Sequence, residues 1–376
     1  MDFTRSEAEI EVSELAAQVL AGSSQPAAAD FDTDRWQQLA QAGLLALALP
    51  AELGGDELGV QAVAAVLTEA GRNAARIPAL ATLALGVLPV TRSADSGLKR
   101  RLLAGVATGD TVLTAAIREP SDPMPAAPGT VATLTAGATL TSGATPASGG
   151  QPATLTGLKT GVPYAAAASW ILVPASVGSG DWPSDTVVAV IEPDADGLSC
   201  QRTRSSSGLP EYTLRLEDTP VAHLLDGCDA AALYEFAVAG ACAVADGALA
   251  AALELTTEHV RTREQFGRPL ATFQAVAQQI ADVYAAARTL HLATVSACWR
   301  LDTGRDAGRD ADVAAYWLAD HGQRAMRTCH HLHGGLGMDV SYPLPQYSAL
   351  LTDLVAFVGG ADDRLDRLGW REAAGA

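Results

Sequence analysis

Near residue 111 the sequence changes its hydrophobic period, and near residue 226 it changes back. Upstream, apolar residues recur at helical spacing: Leu15, Val19 and Leu20, then Trp36, Leu39 and Leu44, then Val63, Val66 and Leu67. Pro50 and Gly54-Gly55 punctuate these segments as chain breakers do. From Thr111 the composition shifts to Thr, Val, Gly, Ser and Pro, in short runs such as TVATLTAG, SWILVPAS, DTVVAVIEP and YTLRLED. Their length and bounding turns predict strands of an all-β unit. The stretch SGATPASGGQP, Ser142 to Pro152, reads as a flexible hairpin loop or a small disordered insert. From Asp229 the helical pattern returns, Ala-rich through about Leu301 and again from Asp310 to Leu332. The chain therefore divides into helical, β and helical parts over 1–110, 111–226 and 227–376.

Composition narrows the partners. A chain of 376 residues suggests two or three packed units. Aromatic residues are only 5% against 48% hydrophobic, so the core must rest on Ala, Leu and Val, which suits close helix packing. A net charge of −18 argues against nucleic acid and anionic membrane surfaces, so an anionic ligand would need a local basic patch. The five cysteines, Cys200, Cys228, Cys242, Cys298 and Cys329, are scattered without CxxC spacing. That pattern fits a reduced, cytoplasmic protein and gives no zinc signature. The N-terminal MDFTRSEAEIEVSELAAQVL is acidic and periodic, unlike a signal peptide. One apolar run, Phe236 to Leu255, approaches membrane-spanning length, but Asp246 and Glu254 interrupt it and a buried bundle helix is expected.

The richest stretch is RTREQFGRPLATFQAVAQQIADVY, Arg261 to Tyr284, read with HLHGGLG at His331 to Gly337. The first run breaks at Gly267-Arg268-Pro269 and resumes as an amphipathic helix with Phe273, Val276, Ile280 and Val283 on one face. In the second, a Gly-Gly pair lets a backbone approach a ligand that any Cβ would block. Arg263 offers a fixed planar cation for a phosphate.

These pieces resemble the acyl-CoA dehydrogenase family, with its Arg-x-x-Phe-Gly element, its Phe-Gln pair opening the next helix and its Gln-x-x-Gly-Gly-x-Gly loop. The resemblance runs through nearly the whole chain in family order. FDTDRWQQLAQAGLLALALPAELGG (Phe31 to Gly55) and TEAGRNAARIPALAT (Thr68 to Thr82) look like its N-terminal segments. Ile117-Arg118-Glu119-Pro120 and Leu155-Thr156-Gly157-Leu158-Lys159 look like landmarks of its middle domain. SYPLPQYSALLTDLVAFVGG (Ser341 to Gly360) parallels the Tyr-Pro segment before its last helix. The fold implied is α+β: an N-terminal helical domain, a β-barrel-like middle domain and a C-terminal four-helix bundle. The activity implied is FAD-dependent α,β-dehydrogenation of an acyl-CoA thioester, with an electron-transfer flavoprotein as acceptor.

The resemblance also implies roles. In the family one subunit cradles the flavin ring while a neighbour's residues hold the ADP end. The matching ADP-end residues are Arg263, Gln265, Phe266, Gln274, Gly334 and Gly335, with His331 standing where the family usually has glutamine. The ring half looks eroded. Ala115 takes an aromatic position, Arg118 replaces a threonine, and Lys159-Thr160-Gly161-Val162-Pro163 lacks the tryptophan and threonine that face the flavin. Whether Arg118 fills that region or makes a salt bridge is open at this stage. Val358 matches the usual catalytic glutamate, and Ala237 matches its alternative position. Glu235 lies about 200° round the helix from Ala237, leaving it a weak candidate base. Asp362 and Asp363 are expected to begin or cap the last helix. Three readings follow. The chain is the base-lacking subunit of an α2β2 pair, of the kind associated with steroid side-chain degradation; or a self-sufficient homotetrameric dehydrogenase using Glu235 or another carboxylate; or a non-catalytic homologue that binds an acyl-CoA or a protein partner without flavin.

Overall fold

Helix α1 (Glu7–Leu20) starts where its sequence says it should. Ser6 accepts from the Glu9 amide at 3.2 Å while the Glu9 carboxylate accepts from the Ser6 amide, a reciprocal cap that satisfies two orphan donors. Its buried residues are Val12, Ala16 and Leu20, one every four. The computed structural model describes residues 6–22, 31–93, 95–120, 122–134, 153–177 and 185–375, so the segment 142–152 lies outside the described residues. The chain forms two compact units: Met1–Ser24 with Ala64–Ala75 and Ala241–Ala376, and Gln25–Val63 with Arg76–Gly240.

In the second unit α2 (Thr33–Gln41) is capped by Asp32 and buries Trp36, whose indole donates to the Gly109 carbonyl at 2.9 Å. A π-helical turn, Leu80–Val87, runs into α4 (Leu88–Thr91), and α5 (Ser96–Leu103) follows; α3 (Val60–Arg72) precedes them. Eight strands come next: β1 (Leu113–Ala115), β2 (Val131–Leu134), β3 (Ala153–Pro163), β4 (Trp170–Val177), β5 (Asp185–Ile191), β6 (Leu198–Thr203), β7 (Glu211–Pro220) and β8 (His223–Leu225). They pair in the order β6-β7-β3-β2-β4-β5-β8, with β1 added parallel to β4. The all-β expectation for this block holds. Among the described residues the pairing path runs from β6 to β8. Alternation puts Leu155, Ile171, Val173, Ala189, Leu214 and Leu216 into one apolar cluster.

The first unit is helical. It holds α1, the end of α3, most of α6 (Ala230–Thr262), α7 (Gln274–Asp302) and a continuous rod made of α8 (Gly308–Tyr316), a π-turn (Trp317–Gly322) and α9 (Gln323–His333). Next come α10 (Leu344–Val358) and α11 (Gly360–Gly375), whose first turn carries Asp362 and Asp363 as expected. Helices α3 and α6 approach so closely that a Cβ on Gly71 would meet the Val244 carbonyl and one on Gly247 the Thr68 carbonyl. Helix α6 is long and apolar enough to cross a membrane by length and composition, yet 83% of its most apolar window is buried inside the protein. It is the core helix that its interrupting Asp246 and Glu254 suggest. Asp312 on α8 accepts from Arg364 and Arg371 of α11, each at 2.8 Å, and fixes the terminal helix.

Candidate functional site

The Arg263 element is a hairpin. Helix α6 stops at Thr262, and two short strands, β9 (Glu264–Gln265) and β10 (Arg268–Pro269), pair with Gln265 opposite Arg268. The tip is Phe266-Gly267, with φ of 53° and 75°. Positive φ at both central residues is the two-residue turn whose twist matches that of paired strands. Phe266 there is unusual, since a bulky residue resists that conformation. It is also 92% exposed. Its ring meets Phe273 edge-on at 6.2 Å, and the Arg268 guanidinium sits 4.1 Å over the same Phe273 ring. The hairpin closes where the Leu270 amide donates to the Arg263 carbonyl at 2.9 Å. Arg263, Gln265 and Gln274, the first residue of α7, are all exposed.

The glycine loop begins at the end of α9. Gly334 has φ 57° and ψ −136°, a region open to glycine alone. Around Gly334 and Gly335 an added Cβ would find nothing within 4 Å. His331 is exposed on the last turn of α9. The two motifs are joined by residues that the sequence reading did not single out. His259, one turn before Arg263, stacks on His333 with ring centroids 4.4 Å apart and planes 19° apart. His333 Nδ1 donates to the Cys329 carbonyl at 2.9 Å, so its Nε2 accepts from the Tyr342 hydroxyl at 3.1 Å. Burial lowers both imidazoles below their ordinary pKa, and His333 and Arg263 push His259 further down. A histidine four residues before Arg263 was the available clue, since i and i+4 share a helix face.

The middle-domain landmarks also meet. Glu119 accepts from Lys159 Nζ at 2.7 Å, the Gly129 amide at 2.7 Å, the Thr130 amide at 3.0 Å and the Thr130 hydroxyl at 2.8 Å. Lys159, with no exposed surface, also donates to the Pro174 carbonyl at 2.8 Å. Burial pushes its ammonium down to about 8 against the pull of Glu119. Burial raises the Glu119 carboxyl, but the Lys159 charge and these hydrogen bonds outweigh it and hold the group below the usual range. Beside the clasp, Arg118 bridges to Thr160 through the backbone, and its side chain lies over Gly161, where a Cβ would stand 2.5 Å from Nη1. Among the described residues the guanidinium has no ion partner. It occupies the space beside the position where the resemblance expects tryptophan.

The candidate base positions are occupied otherwise. Val358 is fully buried at the end of α10, and its carbonyl accepts from Arg364 Nε. Asp363 pairs with Arg367 at 2.9 Å. Ala237 is fully buried, while Glu235 is partly buried and engaged by neighbours. Roughly 36 Å of helix, at about 1.5 Å per residue, separates Glu235 from His259. The structure brings Arg263, Phe266 and the glycine loop to adjoining helix ends and leaves Glu235 far along the same helix. A separate cavity of about 450 Å³ lies against α7, the π-turn and α9, lined by Asp282, Thr289, Trp317, His321, Arg324 and Thr328; Arg263, Gln265, Phe266, Gln274, His331, Gly334 and Gly335 do not line it.

Residues 5–110 match the family description "Acyl-CoA dehydrogenase, N-terminal domain", and residues 232–364 match "Acyl-CoA dehydrogenase, C-terminal domain". The chain is 43% identical to Acyl-CoA dehydrogenase FadE28 of Mycobacterium tuberculosis over 338 residues, covering 89% of this chain and 91% of that one. Among solved structures it is similar to a variant of the Tcur3481-Tcur3483 steroid ACAD, with TM-score 0.88 and 32% identity, covering 98% of this chain and 99% of that one. It is also similar to the ChsE4-ChsE5 complex from Mycobacterium tuberculosis, with TM-score 0.87 and 29% identity over the whole of both chains. The chain belongs to the acyl-CoA dehydrogenase family.

Proposed function

We propose that this chain is the base-lacking subunit of a heteromeric, FAD-dependent acyl-CoA dehydrogenase. It contributes the ADP-binding half of the flavin site to a partner chain that carries the ring pocket and the catalytic base. The observation that carries this reading is a contrast between two regions. At the helix ends, no described atom lies within 4 Å of where a Cβ on Gly334 or Gly335 would stand and the Arg263 side chain is exposed, so the residues present fit the phosphate end of a dinucleotide. In the middle domain the guanidinium of Arg118 lies over Gly161, and the expected glutamate is the buried Val358, so the residues present do not fit a flavin ring and its base.

When bound, FAD supplies the two-electron acceptor for α,β-dehydrogenation of an acyl-CoA thioester. This chain's part is to bind and orient. Arg263 would offer a planar cation to phosphate oxygens, a charge-assisted contact. Gly334 and Gly335 let backbone amides come close without a Cβ in the way. Phe266 presents an aromatic face, and His331, Gln265 and Gln274 offer donors from the same surface. The two positions where the family's base is expected hold the buried Val358 and Ala237, so on this reading the α proton is taken by the partner.

The two-chain complexes among the similar structures support an α2β2 assembly, and "steroid ACAD" in one of their descriptions supports a steroid side-chain thioester as substrate class. An electron-transfer flavoprotein is the acceptor this reading expects, in a cytoplasmic setting. The test is Arg263→Ala in this chain, co-assembled with a base-bearing acyl-CoA dehydrogenase chain. Loss of a charge-assisted hydrogen bond is worth roughly 1.5–3 kcal/mol, so FAD should bind about 10- to 150-fold more weakly. Unchanged FAD affinity in an intact complex would sink the reading, and a flavin-loaded homotetramer would replace it with the self-sufficient enzyme.

A further inference from the structure

Four of the seven histidines, His259, His330, His331 and His333, gather at the ends of α6 and α9. Two of them form the stack that joins the Arg263 hairpin to the glycine loop. The hydrogen bonds of His333 define its state. Its Nδ1 faces a carbonyl and must carry a proton, while its Nε2 faces the Tyr342 hydroxyl and serves as acceptor only when the ring is neutral. A second proton on His333 would force the Tyr342 hydroxyl to turn and would put a cation against the face of His259.

The groups acting on the two rings offer little compensation. Burial dominates; from α6 Arg263 and from α9 the His330 ring oppose protonation, while the Cys329 carbonyl that accepts from His333 Nδ1 favours it and is outweighed. Tyr342, on the segment after the glycine loop, is neutral. Asp339 on that segment is engaged by the Ser341 amide at 2.9 Å and hydroxyl at 2.7 Å. Glu258 on α6 is exposed, and Glu254 pairs with Arg72 at 2.7 Å. At 5% exposure His333 also has little water to solvate a charge.

We propose that the stacked His259–His333 pair is a neutral-only clasp that positions the Arg263 hairpin and the Gly334–Met338 turn together, so that acidification loosens the dinucleotide surface. This rests on the functional reading for its consequence but not for its mechanism. The pair are positioning residues. An opposing effect is built in: protonated imidazoles beside Arg263 would attract phosphates. Because the stack is half-buried and the two rings face each other, repulsion within the pair outweighs that attraction.

The test compares the full chain with His259→Tyr and with His259→Tyr/His333→Phe, which keep aromatic contact and cannot titrate at the replaced positions. Hydrogen exchange at Gly334–Met338, corrected for its intrinsic pH dependence, is measured at pH 7.5 and 5.5 without flavin. The expected result is at least a tenfold rise in the unsubstituted chain and little change in the double variant. His259→Tyr alone should fall between them, which keeps the test decisive if the double variant does not fold. Equal exchange in all chains, or slower exchange at pH 5.5, would overturn the clasp. In the complex with the base-bearing chain, FAD retention should fall over the same interval only when the histidines are present; tighter retention at pH 5.5 would also overturn it. A complex without flavin at pH 7.5 contradicts the functional reading alone, and exchange then decides the clasp.

Discussion

Gly334 and Gly335 are neighbours with different reasons to be glycine, and substituting them one at a time separates folding from binding. Gly334 has a backbone conformation that L residues resist, φ 57° and ψ −136°. Gly334→Ala should therefore cost about 1–3 kcal/mol of stability, although its methyl would enter open space. Gly335 has no positive φ, and no atom lies within 4 Å of the place its Cβ would take. Gly335→Ala should leave folding unchanged, or stabilise it by roughly 0.4–1 kcal/mol through the unfolded chain. In the loaded complex that methyl would stand between backbone and dinucleotide. Inserting a methyl into a filled contact costs about 1–3 kcal/mol, or roughly 5- to 150-fold in affinity. The assay pairs denaturant unfolding of each full chain with flavin absorbance of each complex after dialysis. Full flavin retention by Gly335→Ala, or equal destabilisation by both variants, would refute the reasoning.

Three further outcomes follow from the packing. Gly247→Ala drives a methyl into the Thr68 carbonyl, so it should cost about 3 kcal/mol or more, read as a lower thermal midpoint; a stable variant would contradict the close α3–α6 crossing. Lys159→Met leaves Glu119 charged without its ion partner, with an expected loss of about 3–5 kcal/mol in urea unfolding, which a merely structural methylene stem would not produce. Because Glu119 is held below its usual range, the unfolded chain takes up that proton first on acidification. Its contribution is present above about pH 4.5 and is lost as pH falls through the lower folded value. Glu119→Gln should flatten that part of the pH–stability curve.

Much of the architecture is legible in the residues because it is local. Ser6 and Glu9 announce the start of α1, and the short apolar runs SWILVPAS and DTVVAVIEP become β4 and β5 almost residue for residue. The Arg263 to Gln274 segment is recognisable by its motif, but its hairpin tip is not. A phenylalanine at φ 53° is a choice that the turn and the Phe273 contact impose, against local preference. The π-turns at Leu80–Val87 and Trp317–Gly322 leave no period of their own in a helical pattern. The order in which the strands pair leaves no local signal, since strand pairing is a long-range property that alternation does not encode. The same limit hides what joins the site. Nothing in spacing links His259 to His333 or lays Arg118 over Gly161. The structure answers the question that the sequence left open for Arg118: its side chain covers the glycine and has no ion pair among the described residues.

The central claim is that this chain holds one end of a flavin whose other end belongs to an unlike partner. Purified alone, then with the base-bearing chain, it should be assayed for flavin absorbance near ~450 nm together with mass by light scattering. The account predicts a colourless protein alone and a yellow heterotetramer with one FAD for each pair of unlike chains. A yellow homotetramer with one FAD per chain would contradict it.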